Sequence, residues 1–129
     1  MQTLLAIAAV LAVLTGIAHS VLGELLIFRH LRQGTLVPAE DAPPLRNRHI
    51  RILWATWHLA TVFGCAFAAM LARLAVTPHA SFPDLLAEAT IAAYAGGSLL
   101  VLIGTRGRHP GWFALAAVAA LTWTAIGRV

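Results

Sequence analysis

Long apolar runs, broken only by a few ionisable side chains, constrain what this chain can fold into. His19 and Glu24 interrupt the first run, residues 3–28, and His58 interrupts the second, residues 52–74. Two further runs cover residues 85–105 and 110–127. A hydrocarbon core about 30 Å thick is crossed by about 20 helical residues, so each run has the length of a membrane span. The expectation is an all-α membrane protein, one domain over residues 1–129, folded as an antiparallel four-helix transmembrane bundle. Composition agrees, with 60% hydrophobic and 11% charged residues and a mean hydropathy of +0.81. A soluble domain of this kind would lack polar surface.

The connections carry the rest of the polarity. Residues 29–51 contain Pro38, Pro43 and Pro44, which remove backbone donors and restrict their neighbours, so the middle of this loop is not helix. Its end, residues 45–51, is placed to extend the second span as a basic interfacial turn. Pro78 and Pro83 mark the second connection, and residues 106–109 form a tight third one. Pro110 then sits where a helix accepts proline best, at its first position. The first run lacks the basic stretch that precedes a signal-peptide core, so it reads as a span.

All nine basic residues are Arg, giving a net charge of +4 and a pI near 11.1. They lie at the ends of the runs, which points to anionic lipid head groups and not to nucleic acid. The first and third connections hold seven arginines and the opposite side holds Arg73 and Arg128. By the positive-inside rule both termini are then periplasmic. An Arg-only, Ala-rich chain suggests a bacterial inner membrane.

Ionisable groups at membrane depth are costly and usually face a bundle interior with partners. Ala8, Ala12, Gly16, Ser20 and Glu24 are spaced four apart and form one stripe on the first span. Small residues on that stripe admit a close neighbour. His19 lies about 100° around the same helix. Arg51, Trp54, His58, Thr61 and Cys65 form a matching seam on the second span. At ~1.5 Å rise per residue, Glu24 lies roughly 7.5 Å deep, His19 roughly 15 Å and His58 roughly 10.5 Å, so the three share one half of the bundle.

Three functions fit such a trio. A bound centre would use His19, Glu24 and His58 for Fe, Zn, Cu or Ni, or His19 and His58 for haem b, and would serve redox chemistry. A transporter or channel protomer would use the same groups as an ion or proton relay. A structural accessory subunit of a larger membrane complex would use a Glu24–His58 hydrogen bond or a Glu24–Arg51 ion pair to fix helix packing. Four short spans enclose little volume, so a transport pathway would need a homo-oligomer or a larger complex.

The remaining candidates are weaker. Cys65 reads as a small core residue. Ala92 with Gly96, and Ala93 with Gly97, are small-residue pairs suited to helix packing. Tyr94 falls mid-span, where its hydroxyl needs a partner. His30, His49 and His109, with Glu40 and Asp41, gather on the loop side as solvated or lipid-facing groups or a surface metal site. No phosphate-binding glycine loop, nucleophile elbow, CxxCH or HExxH motif is present.

Overall fold

The computed structural model describes residues 1–32 and 34–126. Within them the chain forms four helices and no strand: α1 (Gln2–Leu26), α2 (Asn47–Val76), α3 (Phe82–Thr105) and α4 (Gly111–Ile126). A short 3-10 turn, Phe28–Leu31, follows α1. The first three helices are long and apolar enough to cross a membrane. The fourth expected span is shorter: α4 has 16 residues, about 24 Å of helix. Residue 127, the expected end of that span, lies outside the described residues.

The helix limits follow local chemistry. Pro43 and Pro44 hold off α2 until Arg46, which is extended, and helix begins at Asn47. That is five residues before the apolar run, so the basic turn is part of the helix. α3 starts after Ser81, with Pro83 and Asp84 in its first turn, where a missing donor and a negative charge are both tolerated. It stops at Arg106 (φ 54°) and Gly107 (φ 72°), with the Gly107 N–H bonded to the Leu102 carbonyl at 2.8 Å. This left-handed reversal is the common glycine-assisted helix ending.

The helices pack in chain order. α1 lies on α2, α2 on α3 and α3 on α4, while helices distant in sequence barely meet. Among the described residues the result is an open row, in which α1 and α4 do not pack together as they would in a closed four-helix ring. α1 therefore has one packed face. Its other faces expose Leu4, Val10, Leu11, Leu14 and Leu22, each more than half accessible, the inverse of a water-facing helix. The loop folds back beneath the first two helices. Ala39 and Glu40 donate to the Leu31 carbonyl, and Asn47 Nδ2 donates to the Ala39 carbonyl at 2.5 Å. Phe28, Val37, Trp54 and Ala55 form the buried cluster at this end.

Candidate functional site

The site is the α1–α2 seam. Gly16 faces Thr61, Ser20 faces His58 and Glu24 faces Trp54. Numbers rise on one helix as they fall on the other. Glycine sets the close approach at Gly23. A Cβ there would stand 2.1 Å from Trp57 Nε1, so only a residue without a side chain admits the indole.

Glu24 is the hub, with about 29% of its side chain accessible. Its Oε2 accepts from Arg32 Nη2. Its Oε1 accepts from Trp54 Nε1 at 2.5 Å and from His58 Nε2 at 2.9 Å. An ionised carboxylate only accepts, so all three partners donate. The expected alternative, a Glu24–Arg51 pair, does not form. The 3-10 turn after α1 brings Arg32 back to the carboxylate, while Arg51 is buried elsewhere. The Nε of Arg32 is buried without a partner among the described residues.

From His58 the polar line continues inward. Nδ1 lies 2.9 Å from Ser20 Oγ, which lies 2.8 Å from Thr61 Oγ1. Thr61 Oγ1 reaches the Gly16 carbonyl at 3.1 Å. Aromatic walls enclose the imidazole: Trp54 meets it edge-on at 4.8 Å and Phe28 lies 6.1 Å away.

His19 is turned away from this line. It stacks on Trp57 at 4.4 Å with an 8° interplanar angle. Its Nε2 bonds the Trp57 carbonyl at 3.2 Å, and Trp57 Nε1 donates to the His19 carbonyl at 3.1 Å. Depth arithmetic puts His19 at the right level, but its 100° offset aims it at a different residue of α2. The structure thus joins Glu24 to His58 and gives His19 to Trp57. No group of three His, Cys, Asp or Glu among the described residues is arranged to hold a metal ion.

Arg32, Trp54, Ser20 and Thr61 are the members that the His/Glu reading passed over. Three of them lie on the two predicted stripes, Ser20 on α1 and Trp54 and Thr61 on α2. Cys65 is exposed and not in the core. Gly96 and Gly97 do serve packing, admitting Val62 and Leu59 of α2. Tyr94 meets the Phe63 ring at 5.1 Å. Among the surface histidines, His30 bonds Arg29, His49 bonds Arg46 and Arg48, and His109 accepts from the Gly111 N–H. Comparison of the chain with family models, with curated proteins and with solved structures finds no match.

Proposed function

We propose that this chain is a multi-pass inner-membrane protein of bacterial type whose α1–α2 seam is a proton relay, with Glu24 and His58 as the exchanging pair. In this reading the helices form an antiparallel transmembrane bundle with both termini periplasmic. The apolar outer faces of α1 and the seven-to-two division of arginines support it. Alkaline phosphatase fused to the C-terminus should be active. A silent phosphatase with bright green fluorescent protein would reverse the orientation.

The observation that carries the relay is the continuous run of contacts at hydrogen-bond distance from Glu24 through His58, Ser20 and Thr61, whose directions follow from the charge state of His58. With Glu24 ionised, His58 Nε2 holds a proton in either charge state. If His58 is an imidazolium, Nδ1–H donates to Ser20, Ser20 to Thr61, and Thr61 to the Gly16 carbonyl. Every hydrogen then has one acceptor. If His58 is neutral, Nδ1 accepts from Ser20 and Thr61 can turn to Ser20, releasing the carbonyl. One proton on His58 thus reverses two hydroxyls, keeping the His58–Ser20–Thr61 contacts and exchanging only the bond from Thr61 to the Gly16 carbonyl. Imidazole is the side chain whose ordinary titration falls near physiological pH, and chains of this kind are what intramembrane proton paths use.

The line runs from the loop end of α1 to Gly16, near the middle of that helix. A full crossing therefore needs a second copy of the chain, which purified protein in a membrane supplies. The donor set favours the relay over a metal or haem centre. Both nitrogens of His58 are engaged, His19 is committed to Trp57, and a metal would find two protein ligands where three or four are usual. Proteoliposomes loaded with a pH-sensitive dye test the reading. Under a potassium diffusion potential, wild-type protein should dissipate a proton gradient, and His58→Gln and Ser20→Ala should return the rate to that of empty vesicles. Equal rates in wild type and both variants would refute the relay.

A further inference from the structure

A second polar feature lies at the loop end of the molecule, outside the relay. The start of α2 and the α3–α4 turn enclose a recess of about 880 Å³, within the size range of small-molecule sites. Five guanidiniums line it: Arg46, Arg48, Arg51, Arg106 and Arg108. Asp41 is the acidic residue among its walls, and its Oδ1 is already occupied by the Asn47 backbone N–H.

Arg51 sets this recess apart from a solvated basic surface. It is 8% exposed, and among the described residues its guanidinium has no hydrogen-bond or ion-pair partner. Arg106 and Arg108 act on it by like-charge repulsion. The covered part of Arg51 is its stem, while its guanidinium nitrogens keep access to the recess: the buried unpartnered side-chain nitrogen among the described residues is Arg32 Nε. Here three like charges converge from two separate segments of the chain, and among the described residues none of the three has an ion-pair partner.

We infer that the recess is a binding site for a phosphoryl anion, whose oxygens are seated on Arg51 and flanked by Arg106 and Arg108. The guanidinium fork matches phosphate oxygens in pairs, and charge-assisted bonds of this type are the strong ones. Two sources offer that chemistry. One is the headgroup of an anionic phospholipid, since the recess opens at the loop end where a membrane surface would lie. The other is a free di- or polyphosphate from solution. The site is independent of the relay, because no residue that lines it belongs to the Glu24–His58 line.

Purified full-length protein in neutral detergent tests this by calorimetric titration with two probes. Inorganic pyrophosphate represents the free anion. Short-chain phosphatidylglycerol represents the headgroup, with short-chain phosphatidylcholine as its control. Saturable binding of either anionic probe is expected, weakened about 10-fold or more by Arg51→Gln, the loss of one charged hydrogen-bonding group. Pyrophosphate alone would identify a soluble ligand, and phosphatidylglycerol alone a lipid. Because Arg51 is buried, the exposed pair Arg106→Gln/Arg108→Gln provides a second variant with the same expected direction and little burden on folding. His58→Gln should bind as wild type. The inference is overturned if neither anionic probe saturates, if phosphatidylcholine binds as well as phosphatidylglycerol, or if the arginine variants bind as tightly as wild type.

Discussion

The α1–α2 and α3–α4 seams both join helices adjacent in sequence, yet they hold together by different means. Across α1–α2, two tryptophans, two histidines, Glu24, Ser20 and Thr61 exchange hydrogen bonds along the seam. Across α3–α4 the hydrogen bond is Ser98 Oγ to the Trp112 carbonyl, at 2.7 Å. The groove between these helices is otherwise lined by Ala, Leu, Ile and Trp. Lipid tails are as apolar as leucine, so apolar helices in a membrane associate mainly through close packing. A polar seam costs more to build and must be fully partnered. The chain concentrates its ionisable groups on one helix pair and leaves the other to shape. That asymmetry is what the proposed relay on α1–α2 draws on.

The largest test of this contrast is Glu24→Ala. It leaves Arg32, Trp54 and His58 without their shared acceptor. Removing one partner of a buried charged pair costs about 3–5 kcal/mol, and the partial exposure of this one places the expectation near 3. Glu24→Gln keeps one acceptor oxygen and should cost about half as much. Thermal unfolding in detergent measures both. A Glu24→Ala protein as stable as wild type would mean that the seam is not held by its carboxylate.

Next in size is a pair of glycine substitutions, one on the polar α1–α2 seam and one where the apolar face of α3 meets α2. Gly23→Ala puts a methyl into Trp57, whose ring is fixed by its stack and its hydrogen bond to His19. Overpacking against a locked ring costs about 1–3 kcal/mol. At Gly97 a new Cβ would lie 2.6 Å from Leu59 Cδ1, the far end of a flexible side chain that can rotate away. Gly97→Ala should therefore cost less than Gly23→Ala, and equal losses would erase the distinction between a rigid polar seam and an adaptable apolar one. Smallest is Ser98→Ala, which removes the α3–α4 hydrogen bond. About 0.6 kcal/mol is expected, the usual worth of such a bond between membrane helices. A loss as large as that of Glu24→Ala would show that the second seam is also polar in its energetics.

Much of this was legible in the residues. Run length and proline position locate all four helices within a few residues. The four-residue stripe ending at Glu24, set against the seam through His58, brings those two groups together because depth and azimuth both agree. His19 shows where depth alone fails. It lies at the right level but on the wrong side of α1, where the ring that meets it is Trp57. Arg32 was illegible for another reason. Its approach to Glu24 depends on the 3-10 turn at Phe28–Leu31, and no periodicity announces a one-turn reversal. The basic recess needed tertiary structure as well, because its walls come from residues 41–52 and 105–109. The sequence places those residues at one end of the molecule but does not place them around one space.

The relay stands on the direction in which His58 hands its hydrogens. Nitrogen-15 spectroscopy of histidine-labelled protein, with His58 assigned by its loss in His58→Gln, reads that direction at each ring nitrogen. The account predicts that neutral His58 carries its proton on Nε2, toward Glu24, with Nδ1 unprotonated and accepting from Ser20. On acidification Nδ1 gains the second proton, and Ser20→Ala alters the Nδ1 signal while leaving Nε2 in place. A neutral His58 protonated on Nδ1, or an Nδ1 signal indifferent to Ser20→Ala, would contradict it.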